Sequence, residues 1–145
     1  MADPYESTMM ALSTVSVRDV MSPGVIAVPS DTTVRACAQT MFERRTHAVL
    51  VVDQGSRDPV GWVTHRDVLK YLRSDPMTTL AGGVVSREPA YIDPDATVEE
   101  AAEQMVAEST THLLVGAPEV LPQGVLSSWD LVAHYARPVR MVGEA

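Results

Sequence analysis

The chain has 145 residues, 46 % of them hydrophobic, which is enough for one sizeable core or for two small halves that pack together. Its formal net charge of −8 argues against broad electrostatic binding to nucleic acid or anionic lipid, because those partners need a basic face. The single cysteine, Cys37, excludes an intramolecular disulfide and a multi-thiolate metal site within one chain. We interpret Cys37 as a small apolar residue of the core.

No apolar run approaches the ~20 residues that a membrane-spanning helix needs. The first residues, MADPYESTMMALS, carry two acidic side chains and no lysine or arginine, so they lack the basic start of a secretion signal. We therefore expect a soluble, cytoplasmic protein with neither a membrane nor a nucleic-acid partner.

The first half of the chain predicts five elements in order. A strand leads through a turn to Thr33, whose hydroxyl is suited to cap a helix with an apolar face that includes Met41. The apolar run AVLVVD at 48–53 predicts a buried strand, and VGWVT predicts a second strand after a polar turn. HRDVLKYLRS then predicts a helix, so the order is strand, helix, strand, strand, helix.

The second half predicts the same order. Thr97 and Glu100 form the sequence pattern of a capping box before the helix TVEEAAEQM. LLVG at 113–116 and the following GVLS predict two adjacent strands, which we expect to form a hairpin, and SWDLVAHYA predicts the last helix.

This shared order reflects an internal repeat. Residues 28–52 match residues 92–116 at a spacing of 64, and we align Thr46 with Thr111 at a spacing of 65. Two small gaps across about 55 residues indicate a duplicated unit with turns of variable length.

Two heptads give the clearest match: GWVTHRD at 61–67 and GVLSSWD at 124–130. We expect the glycine to end a strand, the hydroxyl to lie at a helix start, and the aspartate to lie in the first helical turn. The residue pairs are Thr64 with Asp67 and Ser127 with Asp130. Helix capping explains these residues, and so does a ligand at the helix start; the pattern leaves both open.

Each copy has a sheet with one face covered by its two helices and another face that needs a partner. Two copies facing each other would meet that need, with pseudo-two-fold symmetry and two related clefts. We therefore predict an α+β protein with domains at 15–75 and 80–137, preceded by a lead at 1–14 and followed by a tail at 138–145.

The full ordered set resembles a tandem pair of cystathionine β-synthase (CBS) domains, a Bateman module, over about residues 15–136. The matching segments are VRDVMSPGVIAVPSDTTV, THAVLVVD and GWVTHRDVL in the first copy and VVSREPAYIDPDATV, THLLVG and GVLSSWDLV in the second. The resemblance implies a regulatory or sensory module that is not an enzyme and requires no cofactor. It also implies an adenosyl ligand such as AMP, ADP, ATP, NAD(H) or S-adenosylmethionine, and a disc-shaped homodimer.

The resemblance further implies that each cleft takes residues from both copies, with the heptad aspartate accepting hydrogen bonds from ribose hydroxyls. Cleft 1 would combine Val63, Thr64, Arg66 and Asp67 with Val85, Ala90, Thr111 and His112. Cleft 2 would combine Val125, Ser127 and Asp130 with Met21, Ile26, Thr46 and His47.

The two clefts should differ in charge. The first heptad carries His65 and Arg66 where the second carries Ser128 and Trp129, so we expect a phosphorylated ligand to prefer cleft 1. Arg87 adds a cation near the start of the second copy. We assign His47 and His112 to equivalent positions, where each either contacts a phosphate or bonds to backbone.

Other functions find less support in the residues. The four histidines show no close metal-ligand spacing, so we predict no metal site. We find no dedicated nucleophile or glycine-rich phosphate loop and predict no catalytic residue. The uncharged SSW of the second heptad favours one alternative, a ligand-free interaction module that regulates a partner enzyme or transporter.

Overall fold

The computed structural model of the protein describes residues 12–85 and 88–136. In chain order its elements are α1 Val17–Val20, β1 Ser22–Pro23, β2 Ala27–Pro29, α2 Val34–Arg44, β3 Ala48–Val52, β4 Pro59–Thr64, α3 His65–Lys70, α4 Ala81–Val84, β5 Tyr91–Ile92, α5 Val98–Glu108, β6 His112–Val115, β7 Gly124–Ser127 and α6 Ser128–Ala136. The predicted order of strand, helix, strand, strand, helix is confirmed in both copies, and the class is α+β.

Contacts divide the chain into two compact units. Unit A is Val25–Pro89, and unit B combines Met1–Gly24 with Ala90–Ala145. Unit A therefore holds the first copy together with α4, and unit B holds the second copy together with α1 and β1. The chain passes from one unit to the other after Gly24 and after Pro89.

The two long helices begin and end in the same way. The Thr33 and Thr97 side chains accept hydrogen bonds from the backbone N–H groups of the residues three positions on, each at 3.1 Å. Both helices stop at a residue in the left-handed conformation, Arg45 (φ 53°) and Ser109 (φ 51°). Thr33 and Thr97 thus make the same capping bond, although only Thr97 is followed by a glutamate at the third position.

The sheets follow the predicted pairing. In unit A the strand order is β2-β3-β4, with β2 parallel and β4 antiparallel to β3. In unit B the order is β1-β7-β6-β5, with β5 parallel and β7 antiparallel to β6. The predicted hairpin is therefore confirmed in each copy, and β1 adds an antiparallel edge strand to unit B.

Each unit has its own apolar core. In unit A the core includes Cys37, Val49 and Val63, all fully buried, and in unit B it includes Leu113 and Leu126. Burial raises the pKa of the Cys37 thiol to about 11, so this side chain stays protonated near neutral pH. The interpretation of Cys37 as a core residue is confirmed. Within the described ranges, no helix has the length and apolar character of a membrane span.

The heptad glycines do not end strands, so that expectation was wrong. Gly124 begins β7, and Gly61 lies inside β4. A Cβ at position 124 would overlap the Ser22 carbonyl oxygen and lie 3.0 Å from Met21 Sδ. Glycine is needed at position 124 because β1 approaches the backbone of β7 closely.

We expect Gly124→Ala to lower the free energy of unfolding by about 1–3 kcal/mol, because the added methyl group forces β1 away from β7. Urea denaturation would measure the change. Gly83→Ala is the matched control, since a Cβ at position 83 meets nothing within 4 Å. Equal stability of the Gly124→Ala variant and the unsubstituted protein would contradict this account of the heptad glycine.

Candidate functional site

The first heptad forms a complete capping box where β4 turns into α3. The Asp67 N–H donates to Thr64 Oγ1 at 3.3 Å, and the Thr64 N–H donates to Asp67 Oδ2 at 2.9 Å. The Thr64 hydroxyl also donates to Asp67 Oδ2 at 3.1 Å. The hydroxyl and the carboxylate therefore hold each other in place at the helix start.

The second heptad repeats this geometry where β7 turns into α6. The Asp130 N–H donates to Ser127 Oγ at 3.1 Å, and the Ser127 N–H donates to Asp130 Oδ2 at 2.9 Å. The two strand-to-helix corners are thus chemically alike, as the repeat predicted.

Capping and ligand binding are compatible at these corners. The hydrogen bonds of each box use the Oδ2 atom of the aspartate and leave Oδ1 without a hydrogen bond from the described part of the chain. Asp67 Oδ1 lies 3.9 Å from Lys70 Nζ. A carboxylate can accept several hydrogen bonds, so Oδ1 could still accept one from a hydroxyl group of a ligand.

His47 and His65 lie side by side in unit A. The backbone N–H of His65 donates to the His47 carbonyl oxygen at 2.9 Å, and the centroids of the two imidazole rings are 5.1 Å apart. Both side chains are exposed, as is the neighbouring Arg66. The first corner therefore groups three nitrogen-bearing side chains that can donate hydrogen bonds to an anion.

The structure corrects the alignment of the two copies after their long helices. Thr46 Oγ1 donates to the Ala48 carbonyl oxygen, and Thr110 Oγ1 donates to the His112 carbonyl oxygen, each at 3.2 Å. Thr46 is therefore equivalent to Thr110, and the spacing stays at 64 through this segment. The predicted pairing of Thr46 with Thr111 was wrong.

It follows that His47 and His112 are not equivalent. His47 corresponds to Thr111, because each carbonyl oxygen accepts the N–H of the first residue of the following helix, at 2.9 and 2.8 Å. His112 instead corresponds to Ala48 as the first residue of a buried strand. His112 is only 7 % exposed, and its Nδ1 lies 2.9 Å from Thr111 Oγ1.

Val63 and Val125 also occupy different faces. Val63 is fully buried in the core of unit A and pairs with Val49, whereas Val125 is half-buried and pairs with Leu114. The residue equivalent to Val125 is Trp62, which sequence reasoning missed. The two-residue alternation of a strand places Trp62 on the same face as Thr64, and this signal was available in GWVT.

The predicted wall residues are divided between the units. Unit A contains Ile26 and Val85, whereas unit B contains Met21 and Ala90. The Ile26 and Ala90 carbonyl oxygens accept the N–H groups of β3 and β6 residues, each at 2.9 Å. Arg87 lies outside the described residues. The composition of the two clefts across the units stays a prediction.

A shallow cavity of about 650 Å³ lies next to His47 in unit A. Its lining residues are Met41, Phe42, Glu43, Arg45, Thr46 and His47. The volume is within the range of small-molecule sites, and the lining combines an exposed aromatic ring with a guanidinium group. Among residues 12–85 and 88–136, no three histidine, cysteine or acidic side chains cluster as metal ligands would.

The corresponding surface of unit B carries different chemistry. Trp129 replaces Arg66 and is 63 % exposed on α6, while Ser128 replaces His65. Val106 replaces Phe42 on the long helix, and it is also exposed. The predicted difference in charge between the two heptads is therefore present on the surface.

Comparison with protein families matches the CBS domain twice, at residues 17–74 and 81–137. Hypoxic response protein 1 of Mycobacterium tuberculosis is 30 % identical over 122 residues, which are 82 % of this chain and 84 % of that protein.

Solved structures give the same picture. A crystal structure of Hypoxic Response Protein I with two coordinated zinc ions is 29 % identical with a TM-score of 0.66, covering 83 % of this chain and 98 % of its own. A CBS domain protein from Pyrobaculum aerophilum complexed with AMP is 21 % identical with a TM-score of 0.71, covering 86 % of this chain and 100 % of its own. At that identity the second likeness concerns the fold.

The capping box of the second heptad predicts that alanine and asparagine at position 130 reduce stability by different amounts. We expect Asp130→Ala to lower the free energy of unfolding by about 1 kcal/mol, because it leaves the Ser127 N–H without its acceptor. Asp130→Asn should cost less, since its amide oxygen can still accept that hydrogen bond. Thermal denaturation of both variants would measure this, and an alanine variant as stable as the asparagine variant would contradict the capping role.

Proposed function

The chain belongs to the CBS-domain family with two copies in tandem, and from this premise we propose that it is a regulatory module that binds an adenosyl ligand. We further propose that it is cytoplasmic, has no catalytic activity of its own and requires no resident cofactor. The AMP complex of a protein with the same fold supports this class of ligand.

The observation that carries the proposal is the repeated corner with its capping box. In each copy the box fixes the aspartate carboxylate at a helix start and leaves Oδ1 without a hydrogen bond from the described residues. A ribose offers two adjacent hydroxyl donors, which suits a fixed carboxylate oxygen with spare acceptor capacity.

We propose the clefts as the sequence predicts them, with two changes. The side chains of Val63 and His112 are buried, so their contribution would come from backbone rather than from side-chain contact. Thr64, Asp67 and Arg66 would bind the ribose and the phosphate of cleft 1. The exposed His65 beside Arg66 supports cleft 1 as the preferred site for a phosphorylated ligand.

Calorimetric titration of the protein with AMP, ATP, NADH and S-adenosylmethionine tests the proposal. We expect Asp67→Asn to weaken binding of the best ligand by about 10–100-fold, since it removes a charged acceptor while keeping the cap. Asp130→Asn should weaken it less, and Asp53→Asn, in a turn outside the heptads, should leave it unchanged.

Two outcomes would contradict the proposal in different ways. Folded protein that binds none of the four compounds would remove adenosyl binding as the function. A larger loss in the Asp130→Asn variant than in the Asp67→Asn variant would reverse the ranking of the clefts.

We also propose that the module forms a homodimer through its helices. Exposed apolar side chains occur at matching positions of the two copies: Leu69 of α3 matches Val132 of α6, and Leu72, two residues after α3, matches Tyr135 of α6. Single exposed apolar residues are common on monomers, whereas several exposed apolar side chains that share a surface mark interaction sites, and this is the role we propose for these four. The same surface in a monomeric protein would favour the alternative, an interaction module for a different protein.

We expect the double variant Leu72→Glu, Tyr135→Glu to be monomeric at concentrations where the unsubstituted protein is dimeric, because charge would be buried in the interface. Light scattering coupled to size-exclusion chromatography would measure the mass. Leu121→Glu is the control, since Leu121 is exposed in the loop before β7. An unsubstituted protein that is monomeric at high concentration would contradict the homodimer.

A further inference from the structure

The short helix α1 docks onto the residues that lead into α5 in unit B. Three backbone hydrogen bonds hold it: Val17 N–H to Ala96 O (2.8 Å), Arg18 N–H to Pro94 O (3.1 Å) and Val98 N–H to Val15 O (2.9 Å). An isolated bridge pairs Ser16 with Thr97, the cap of α5. Residues 15–18, which lead into and begin α1, are therefore hydrogen-bonded to the second copy.

The short helix α4 docks onto unit A by the same bonds. They are Ala81 N–H to Thr32 O (2.7 Å), Gly82 N–H to Ser30 O (2.9 Å) and Val34 N–H to Thr79 O (2.9 Å). An isolated bridge pairs Leu80 with Thr33, the cap of α2. Every partner in unit A lies 64 positions before its counterpart in unit B, so the two docking sites are copies of each other.

Burial shows that both docked segments belong to the cores. Val17 and Ala81 occupy matching positions and both have 0 % exposure. Val17 lies in the apolar core of unit B, and Ala81 lies with Val84 in the core of unit A. Removing either segment would expose apolar core surface to water.

The connectivity makes this docking reciprocal. α1 precedes the first copy in the sequence but lies in unit B with the second copy, and α4 precedes the second copy but lies in unit A with the first. A cut between Ser74 and Asp75 would therefore give two fragments, each carrying the segment that completes the core of the other.

We propose that α1 and α4 are reciprocal docking segments that hold the two halves of this chain together independently of the connection at Ser74–Asp75. The occupant of each docking site is the chain's own segment. The side chains at matching positions of the two segments differ. Arg18 forms an ion pair with Asp95 in unit B, whereas Gly82 lies where a Cβ would be 3.1 Å from the Ser30 side chain and carbonyl oxygen.

The test uses the full chain with a site for a sequence-specific protease inserted between Ser74 and Asp75. After complete cleavage, shown by a denaturing gel, native mass spectrometry at about 1 µM protein measures the assembly. The expected result is the same assembly that the uncut protein forms under these conditions, with one water added for each cleaved chain. Two separate fragments would overturn the proposal, and so would a cleaved species of twice the mass of the uncut assembly, which would place the occupant in a second copy.

Substitutions separate docking from other contacts between the fragments. In the cleaved protein, Ala81→Asp should raise the dissociation constant of the two fragments at least tenfold, because it places a charge in the core of unit A. Gly83→Asp should change the constant less than twofold, since a Cβ at position 83 meets nothing within 4 Å. Equal constants for the two variants would overturn the proposal.

A second, milder pair keeps the test valid if Ala81→Asp prevents folding. Val17→Ala removes buried methyl groups from α1, and Asp19→Ala changes an exposed residue of the same helix. We expect the cleaved Val17→Ala protein to dissociate several-fold more readily than the cleaved Asp19→Ala protein. Fragments that hold together equally well in both would show that α1 does not contribute.

Discussion

The reciprocal bond between a hydroxyl and an aspartate at each strand-to-helix corner is the constraint on which the candidate site depends. At both corners a backbone N–H of the strand end donates to Oδ2, and a backbone N–H of the first helical turn donates to the hydroxyl. These bonds fix the direction in which the helix leaves the sheet. They also fix the carboxylate, so a ligand bound by its second oxygen, as we propose, would cost little further side-chain freedom.

Much of the fold could be predicted from the sequence, because the apolar residues follow the periodicities of strands and of helices closely. Alternating and buried apolar runs gave the strands, and helical spacing after Thr33 and Thr97 gave the long helices, all of which the structure contains. The three short elements α1, β1 and α4 were missed as separate elements. Two to four residues carry too little periodicity to be recognised, and their stability comes from docking onto residues far away in sequence.

The candidate site was predicted less completely than the fold. A threonine pair and a histidine pair in THAV and THLL suggested an alignment that the backbone contradicts, because Thr46 makes the hydrogen bond that Thr110 makes. The alignment followed the shared Thr-His dipeptide and not the strand register. In the structure His112, like Ala48, is the first residue of a buried strand. Which face a strand residue occupies decides its role, and alternation would have placed Val63 in the core.

The corrected alignment makes the two copies less alike than their sequences suggest. The first corner has exposed His47, His65 and Arg66, and the equivalent positions of the second corner have Thr111, Ser128 and Trp129. The two corners nevertheless share a backbone hydrogen bond. The N–H of the first helical residue, His65 or Ser128, donates to the carbonyl oxygen of the residue before β3 or β6, His47 or Thr111. The duplication thus preserves the backbone that holds the aspartate carboxylate at each helix start, while the side chains around that common backbone differ in charge.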